Sequence, residues 1–282
     1  MDGILVSQSI MKSLKNEISE LSKHNIYPCL ATILVGNDTA SVSYINNKQK
    51  TANSIGIKTF DYRLDEEISQ QDLTKLVHKL NDDNNVHGIL IQLPLKEHLD
   101  KFEVLNLIRP EKDVDGLTFI NCGLLFNNKP KLIPCTPIGV MELLNYYNIQ
   151  LDGKVVSIIN RSNLVGKPLS TLLLEKNSTV IICHSHTKNI VSLLQSSDVI
   201  ITAIGNRSKF KLTKDMVSEN SIVIDIGTSR INGKLLGDVD FENVKDKVSY
   251  ITPVPGGVGP MTITMLLKNT VRAAKILNSI YQ

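Results

Sequence analysis

The feature that most restricts the fold of this chain is an alternation, repeated along its length. Short uninterrupted apolar runs are followed by longer segments whose apolar residues recur at helical spacing. "SQSIMKSLKNEISELSK" places Ile10, Leu14, Ile18 and Leu21 on one helical face, and "PCLATILVG" then reads as a buried strand closed by a glycine. "DTASVSYINNKQKTANSIG" predicts a helix capped at Asp38 or Thr39 and stopped at Gly56. "IKTFDYRL" is a strand, "SQQDLTKLVHKLND" an amphipathic helix, and "VHGILIQLPL" a buried strand broken by Pro94. Strand and helix in regular succession imply a parallel sheet covered on both faces, with ligands beyond the carboxyl ends of its strands.

A second series starts after "PCTPIGVMELLNYYNI", a helix that Pro137 can open and that links two domains. "KVVSIIN", "STVIICH", "DVIITAIG" and "SIVIDIG" follow as strands, and "VSYITPVPGG" supplies a fifth. No fixed-period repeat or low-complexity tract interrupts the pattern, and 282 residues suffice for two domains with real cores.

Composition narrows the function classes. With 42% hydrophobic and 21% charged residues the chain is of the soluble globular type. A net charge of +3, with both signs interspersed, gives no basic face for nucleic acid or a membrane surface. No stretch is long and apolar enough for a bilayer span, and "MDGILVSQSI" lacks the basic n-region of a secretory signal. Cys29, Cys122, Cys135 and Cys183 are scattered without a C-x-x-C pair, which predicts buried thiols in a reducing cytoplasm and no metal site.

The first strand of the second series runs into "NRSNLVGKPLSTLLLEK". A strand, a tight turn, Gly166 and Pro168 in the first helical turn make the phosphate-facing start of a dinucleotide unit, although the G-x-G-x-x-G spacing is absent. The next strand ends in "ICHSHT" without the acid that would accept a ribose 2′-hydroxyl. Ser185 is a neutral donor there and Arg161 a permanent cation, a set that suits NADP better than NAD. The competing reading makes Arg161 a solvated surface cation and Ser185 a loop hydroxyl. His184 and His186, two apart, have no third ligand for a metal.

Six stretches taken in order, "YINNKQKTANSIGI", "GILIQLPL", "EKDVDGLTFINCGLL", "PCTPIGVMELL", "RSNLVGKP" and "YITPVPGGVGPMT", resemble the bifunctional methylenetetrahydrofolate dehydrogenase/cyclohydrolases over nearly the whole chain. The resemblance implies a two-domain α/β protein: an N-terminal folate-binding catalytic domain over 1–136, completed by a C-terminal helix over 262–282, and a Rossmann-like NADP-binding domain over 137–261, with a cleft between them. It also implies a homodimer, formed mainly through the NADP domains, that acts on tetrahydrofolate derivatives.

Carried over residue by residue, the resemblance makes Lys48 the central catalytic group, with Tyr44 stacking on the pterin and Gln92 as the lysine's partner. Tyr44 and Lys48 lie four apart, so one helix face can present both. Asp115 in "KDVDGL" matches the pterin-binding carboxylate, and a carboxylate can accept two parallel hydrogen bonds from the aminopyrimidone edge. Asp113 beside it is expected to position the loop. In "ITPVPGGVGPMT", Gly256 and Gly257 would offer amides to substrate, and the helix start at Thr262 would face the cofactor. Asn160, Arg161, Ser162, Gly166 and Ser185 complete the expected cofactor contacts. Most relatives have glycine where this chain has Asn160, and asparagine is the side chain that best tolerates a left-handed turn in its place.

The implied chemistry is oxidation of 5,10-methylene-tetrahydrofolate with NADP, then hydrolysis of the methenyl product to 10-formyl-tetrahydrofolate. Only the hydrolysis needs proton management, which points to Lys48. Three alternatives stand beside this reading: a cyclohydrolase that has lost its dehydrogenase step, an enzyme of the shikimate dehydrogenase type, and a non-enzymatic folate or nucleotide binder.

Overall fold

A computed structural model describes residues 1–280. The chain divides into two compact units, Ser9–Cys135 with the residues from Ile263 onward, and Met1–Gln8 with Thr136–Thr262.

The first of these units holds most of helix α1 (Gly3–Lys23), then β1 (Cys29–Val35), α2 (Thr39–Ser54), β2 (Lys58–Leu64), α3 (Gln70–Asp82), β3 (Gly88–Ile91), α4 (Lys101–Leu107) and α5 (Phe119–Phe126). The strands pair in parallel in the order β2-β1-β3, so β1 is central and buried at every position. β2 is the edge strand, exposed or half-buried throughout, which explains why "KTFDYRL" carries charged residues where β1 carries none. Ala31, Ile33 and Ile89 from the sheet pack with Leu73, Val77 and Leu80 of α3, all at most 1% exposed. Each such aliphatic side chain contributes about 1.5 to 3 kcal/mol on burial. Asp38 caps α2 by accepting from Ser41 N at 2.8 Å, and Ser69 caps α3.

The other unit takes up helix α6 (Cys135–Tyr146) from its second residue, and continues through β4 (Val155–Ile159), α7 (Gly166–Leu174), β5 (Thr179–Cys183), α8 (Ile190–Gln195), β6 (Val199–Thr202), β7 (Ile222–Asp225), the hairpin of β8 (Ser229–Ile231) and β9 (Lys234–Leu236), α9 (Phe241–Val244) and β10 (Tyr250–Ile251). Five strands pair in parallel in the order β10-β7-β6-β4-β5. From β4 the chain passes outward to β5 and returns across to β6, so the order reverses between β4 and β6. A doubly wound sheet places its ligand crevice at such a reversal.

Two helix starts differ from the sequence expectation. α6 begins at Cys135, two residues before Pro137, because proline is tolerated anywhere in a first turn, where its missing N–H is not needed. For the same reason Pro260 lies inside the first turn of α10 (Val258–Leu277), and Thr262 sits in the second turn, where its hydroxyl donates to Val258 O at 3.4 Å. Thr262 therefore offers no helix-terminal amide. The β8–β9 hairpin was not anticipated, although Asn232 and Gly233 at its tip both take positive φ, 49° and 77°.

Candidate active site

Of the residues expected to handle folate, Tyr44, Lys48, Gln92 and Asp115 converge within one unit, whereas Gly256 and Gly257 belong to the other. Lys48 projects from α2 and is 5% exposed, with its ammonium 3.1 Å from Gln92 Oε1. Gln92 follows the end of β3, and its amide donates to Leu93 O at 2.8 Å, which turns Oε1 toward the lysine. One helical turn before Lys48, Tyr44 lies beneath the ammonium, 4.1 Å from ring centroid to Nζ. Burial pulls the Lys48 pKa below that of an ordinary lysine, and the charge of Asp115 opposes the shift. Burial also raises the Tyr44 phenol, with Asp115 adding to the effect, so the ring stays neutral.

Asp115 lies in the loop between α4 and α5. Asp113 organises that loop by accepting from Leu117 N at 3.1 Å, Thr118 N at 2.8 Å and Asn121 Nδ2 at 2.9 Å, as its expected positioning role requires. With Asp113 committed to the backbone, Asp115 is the acid left to meet a ligand. Burial raises its carboxyl above the usual range while Lys48 draws it back. Cys135, which the sequence suggested only as a buried thiol, joins this group. Its Sγ donates to Val114 O at 3.3 Å, and burial next to Asp115 raises its pKa well above the thiol norm. Lys48, Tyr44, Gln92, Asp115 and Cys135 thus form a site holding a desolvated amine, a carboxylate and an aromatic face.

The glycines of "PVPGGVG" serve the backbone of the other unit. Gly256 takes φ +106°, and its carbonyl accepts from Gly3 N at 2.9 Å. A Cβ on Gly257 would lie 2.6 Å from Pro253 O. Positive φ accounts for Gly256, and close packing against Pro253 and Thr252 of the same loop accounts for Gly257.

At the reversal between β4 and β6 the first residue is Asn160, and it does not take the left-handed conformation. Instead its side chain fills the turn. Oδ1 accepts from Ser162 N at 2.7 Å and from Gly166 N at 3.1 Å, and Nδ2 donates to Ala203 O at 2.6 Å beyond β6. Val165, at the N-cap position of α7, makes no side-chain cap, so Asn160 supplies it from five residues upstream. Ser162 closes the same turn by accepting from Val165 N at 3.2 Å. Arg161 and Ser185, in the turns after β4 and β5, are both exposed. Next to Ser185, His184 and His186 stack edge to face with centroids 6.0 Å apart. Among the described residues no three His, Cys, Asp or Glu side chains gather into a metal site.

This donor set fits NADP. The turn after β5, where an NAD site would place an acid, carries the Ser185 hydroxyl, and the turn after β4 carries the exposed Arg161 guanidinium; both groups can bind a 2′-phosphate. Asn160 already satisfies the Gly166 amide at the start of α7 and the Ser162 amide in the turn before it, so phosphate recognition falls more heavily on side chains than in a glycine-rich turn. Sequence reasoning also missed a buried acid pair on this sheet. Asp238 accepts from Ile204 N and Gly205 N after β6, and Asp225, its pKa raised by burial to about 6, accepts from Thr202 Oγ1 and Val239 N. The pair holds the loop that contains the Ala203 carbonyl used by Asn160.

Comparisons with known proteins bear on the family of the chain. A family model described as tetrahydrofolate dehydrogenase/cyclohydrolase, catalytic domain, matches residues 1–115. A second, described as the NAD(P)-binding domain of the same group, matches residues 134–278. The bifunctional protein FolD of Nitrosopumilus maritimus is 54% identical over 280 residues, which is 99% of this chain and 98% of that protein. The crystal structure of the bifunctional FolD methylenetetrahydrofolate dehydrogenase/cyclohydrolase from Campylobacter jejuni superposes with a TM-score of 0.95 at 48% identity, covering 98% of each chain. The corresponding enzyme of Trypanosoma brucei, complexed with NADP cofactor and inhibitor, gives a TM-score of 0.94 at 36% identity, over 100% of this chain and 98% of that one.

Proposed function

This chain belongs to the tetrahydrofolate dehydrogenase/cyclohydrolase family, and we propose that its two activities are divided among the residues described above. The protein oxidises 5,10-methylene-tetrahydrofolate to the methenyl form and hydrolyses that product to 10-formyl-tetrahydrofolate. Bound NADP supplies the hydride acceptor. The observation that carries the division of roles is the lysine amine held out of water between the Gln92 amide and the Tyr44 ring, beside the Asp115 carboxylate.

In the oxidation, lone pairs on the folate nitrogens stabilise the developing cation, so the residues chiefly align the substrate. Asp115 accepts hydrogen bonds from the aminopyrimidone edge, and the neutral Tyr44 ring lies against the pterin. In the hydrolysis, water adds to the cationic methenyl carbon and the bond from that carbon to N5 breaks; of the two protons the water loses, one leaves to solvent with the positive charge and one must pass to N5. Lys48 takes and returns that proton. A lysine whose burial lowers its pKa has a larger neutral fraction near neutrality, and Gln92 Oε1 keeps its Nζ aimed. Arg161 and Ser185 select NADP through the 2′-phosphate, and Ser162 and Gly166 shape the turn beneath it.

The resemblance assigns Gly256 and Gly257 a backbone role toward substrate and Thr262 a hydroxyl role toward cofactor. The protein works as a cytoplasmic homodimer. β5 is an edge strand of its sheet with Ile182 36% exposed, a surface suited to a second copy, and the unbridged Cys29, Cys122, Cys135 and Cys183 fit a reducing compartment. Among the described residues no helix is long and apolar enough to cross a membrane. Incubating the purified protein with 5,10-methylene-tetrahydrofolate and NADP, while following NADPH, the methenyl intermediate and 10-formyl product, tests the reading. Formation of NADPH and 10-formyl product supports it, and NADPH with no hydrolysis beyond the uncatalysed rate contradicts it.

A further inference from the structure

The mechanism uses Asp115 but does not explain how a loop residue is held still enough to pair with a planar ligand edge. The atoms that hold it come from helix α10, far along the chain. Asn269 is 4% exposed, and its Nδ2 donates to Val114 O at 2.8 Å and to Ile133 O at 2.8 Å. A carboxamide has two N–H donors, and both are used. The same Val114 carbonyl also accepts from the Cys135 thiol at 3.3 Å, while Asn269 Nδ2 stands 3.8 Å from Cys135 Sγ.

The Val114 carbonyl and the Asp115 N–H belong to one rigid peptide plane, so gripping that oxygen sets the direction in which the chain enters Asp115. On the other side of Asp115, Gly116 takes φ +68°, and a Cβ there would lie 2.7 Å from Ile133 C. The loop that carries Asp115 therefore lies in backbone contact with the Ile133–Cys135 segment, and Asn269 joins the two. Asp113 pins the loop farther on through Leu117 N and Thr118 N. Val114 is fully buried and Ile133 is 8% exposed, so without Asn269 the Val114 carbonyl would keep only the weak thiol donor of Cys135 and the Ile133 carbonyl would lose its side-chain donor, where water has little access.

We propose that Asn269, assisted by the Cys135 thiol, is a positioning residue for folate recognition, acting through Asp115. The inference rests on the reading of Asp115 as the pterin anchor. Its signature is coupling: removing Asn269 weakens folate binding only while Asp115 is present.

The test is a double-mutant cycle read by calorimetric titration with 5-formyl-tetrahydrofolate, a stable folate with the same aminopyrimidone edge. Parent, Asn269→Ala, Asp115→Ala and the double variant are compared, with thermal unfolding recorded for each. Asn269→Ala is expected to weaken binding about tenfold in the parent, yet to change it less than about twofold in the Asp115→Ala background, a coupling within the range seen for residues of one network. Should Asn269→Ala fail to fold, Cys135→Ala replaces it, with a smaller loss that likewise vanishes in the Asp115→Ala background. Losses that multiply in the double variant, or parental affinity in the single variant, overturn the positioning role. Parental affinity in Asp115→Ala alone overturns the anchor reading and the inference with it. A parent that binds no folate overturns the functional reading itself.

Discussion

The Lys48 ammonium lies 3.1 Å from the Gln92 side-chain oxygen, a neutral acceptor where a charged one would have kept the lysine fully protonated. That choice of partner sets the pH response. Gln92→Glu places a carboxylate beside Nζ and favours the charged form, so the Lys48 pKa rises. The neutral amine then becomes scarcer near neutrality, and the acidic limb of the cyclohydrolase profile moves to higher pH. At pH 7 hydrolysis should fall roughly 10- to 100-fold, following a shift of about one to two units. A pH–rate profile for hydrolysis of 5,10-methenyl-tetrahydrofolate checks this, and a limb that stays in place or moves to lower pH contradicts it.

Asp115→Ala removes the carboxylate assigned to the pterin. Folate binding is expected to weaken by about 1.5 to 3 kcal/mol, the usual worth of a hydrogen bond to a charged group, while NADP binding stays near the parental value. Titration of each ligand separately distinguishes the two, and an unchanged folate affinity removes Asp115 from the site.

Much of this site was legible from sequence spacing together with the family resemblance. Tyr44 and Lys48 share a helix face because they are four apart, and Gln92 falls at a strand end because Pro94 stops the strand. The grouping of Asp115 with Cys135 and Asn269 was not legible, since no local period links three segments so distant in sequence. Asn160 was misread for a different reason. Its residue type permits a left-handed turn, and among the described residues eight non-glycine positions take positive φ, seven of them asparagines, so the chain uses this freedom often. At position 160 the carboxamide's hydrogen bonds to Ser162, Gly166 and Ala203 prevailed. The β8–β9 hairpin carries an Asn-Gly turn signal, but its strands, three residues each, are too short to show an alternating pattern.

Asn160→Gly separates the two functions of that side chain. Losing hydrogen bonds to Ser162 N, Gly166 N and Ala203 O should lower stability by about 1 to 3 kcal/mol. The same change frees the Ser162 amide in the turn and the Gly166 amide at the start of α7 for an anion, so NADP should bind more tightly. Thermal unfolding together with NADP titration checks both halves. A simultaneous loss of stability and affinity would mean that the asparagine builds the cofactor turn instead of competing for it.

Arg161→Ala should erase most of the preference for NADP over NAD, because it removes the exposed cation assigned to the 2′-phosphate. NADP affinity is expected to fall about tenfold or more, with NAD affinity nearly constant. Parallel titrations with the two dinucleotides decide the matter, and equal weakening of both would place Arg161 at a phosphate they share.

The central claim is that Lys48 carries protons for hydrolysis and is far less important for hydride transfer. Its most direct test is a progress curve for Lys48→Met with 5,10-methylene-tetrahydrofolate and NADP, following NADPH and the methenyl intermediate together. The expected result is continued NADPH formation with accumulating methenyl-tetrahydrofolate, since loss of a general acid–base group slows its step by about 100- to 10,000-fold. Conversion of the methenyl intermediate at the parental rate, or equal loss of both activities with folate binding intact, would contradict the claim.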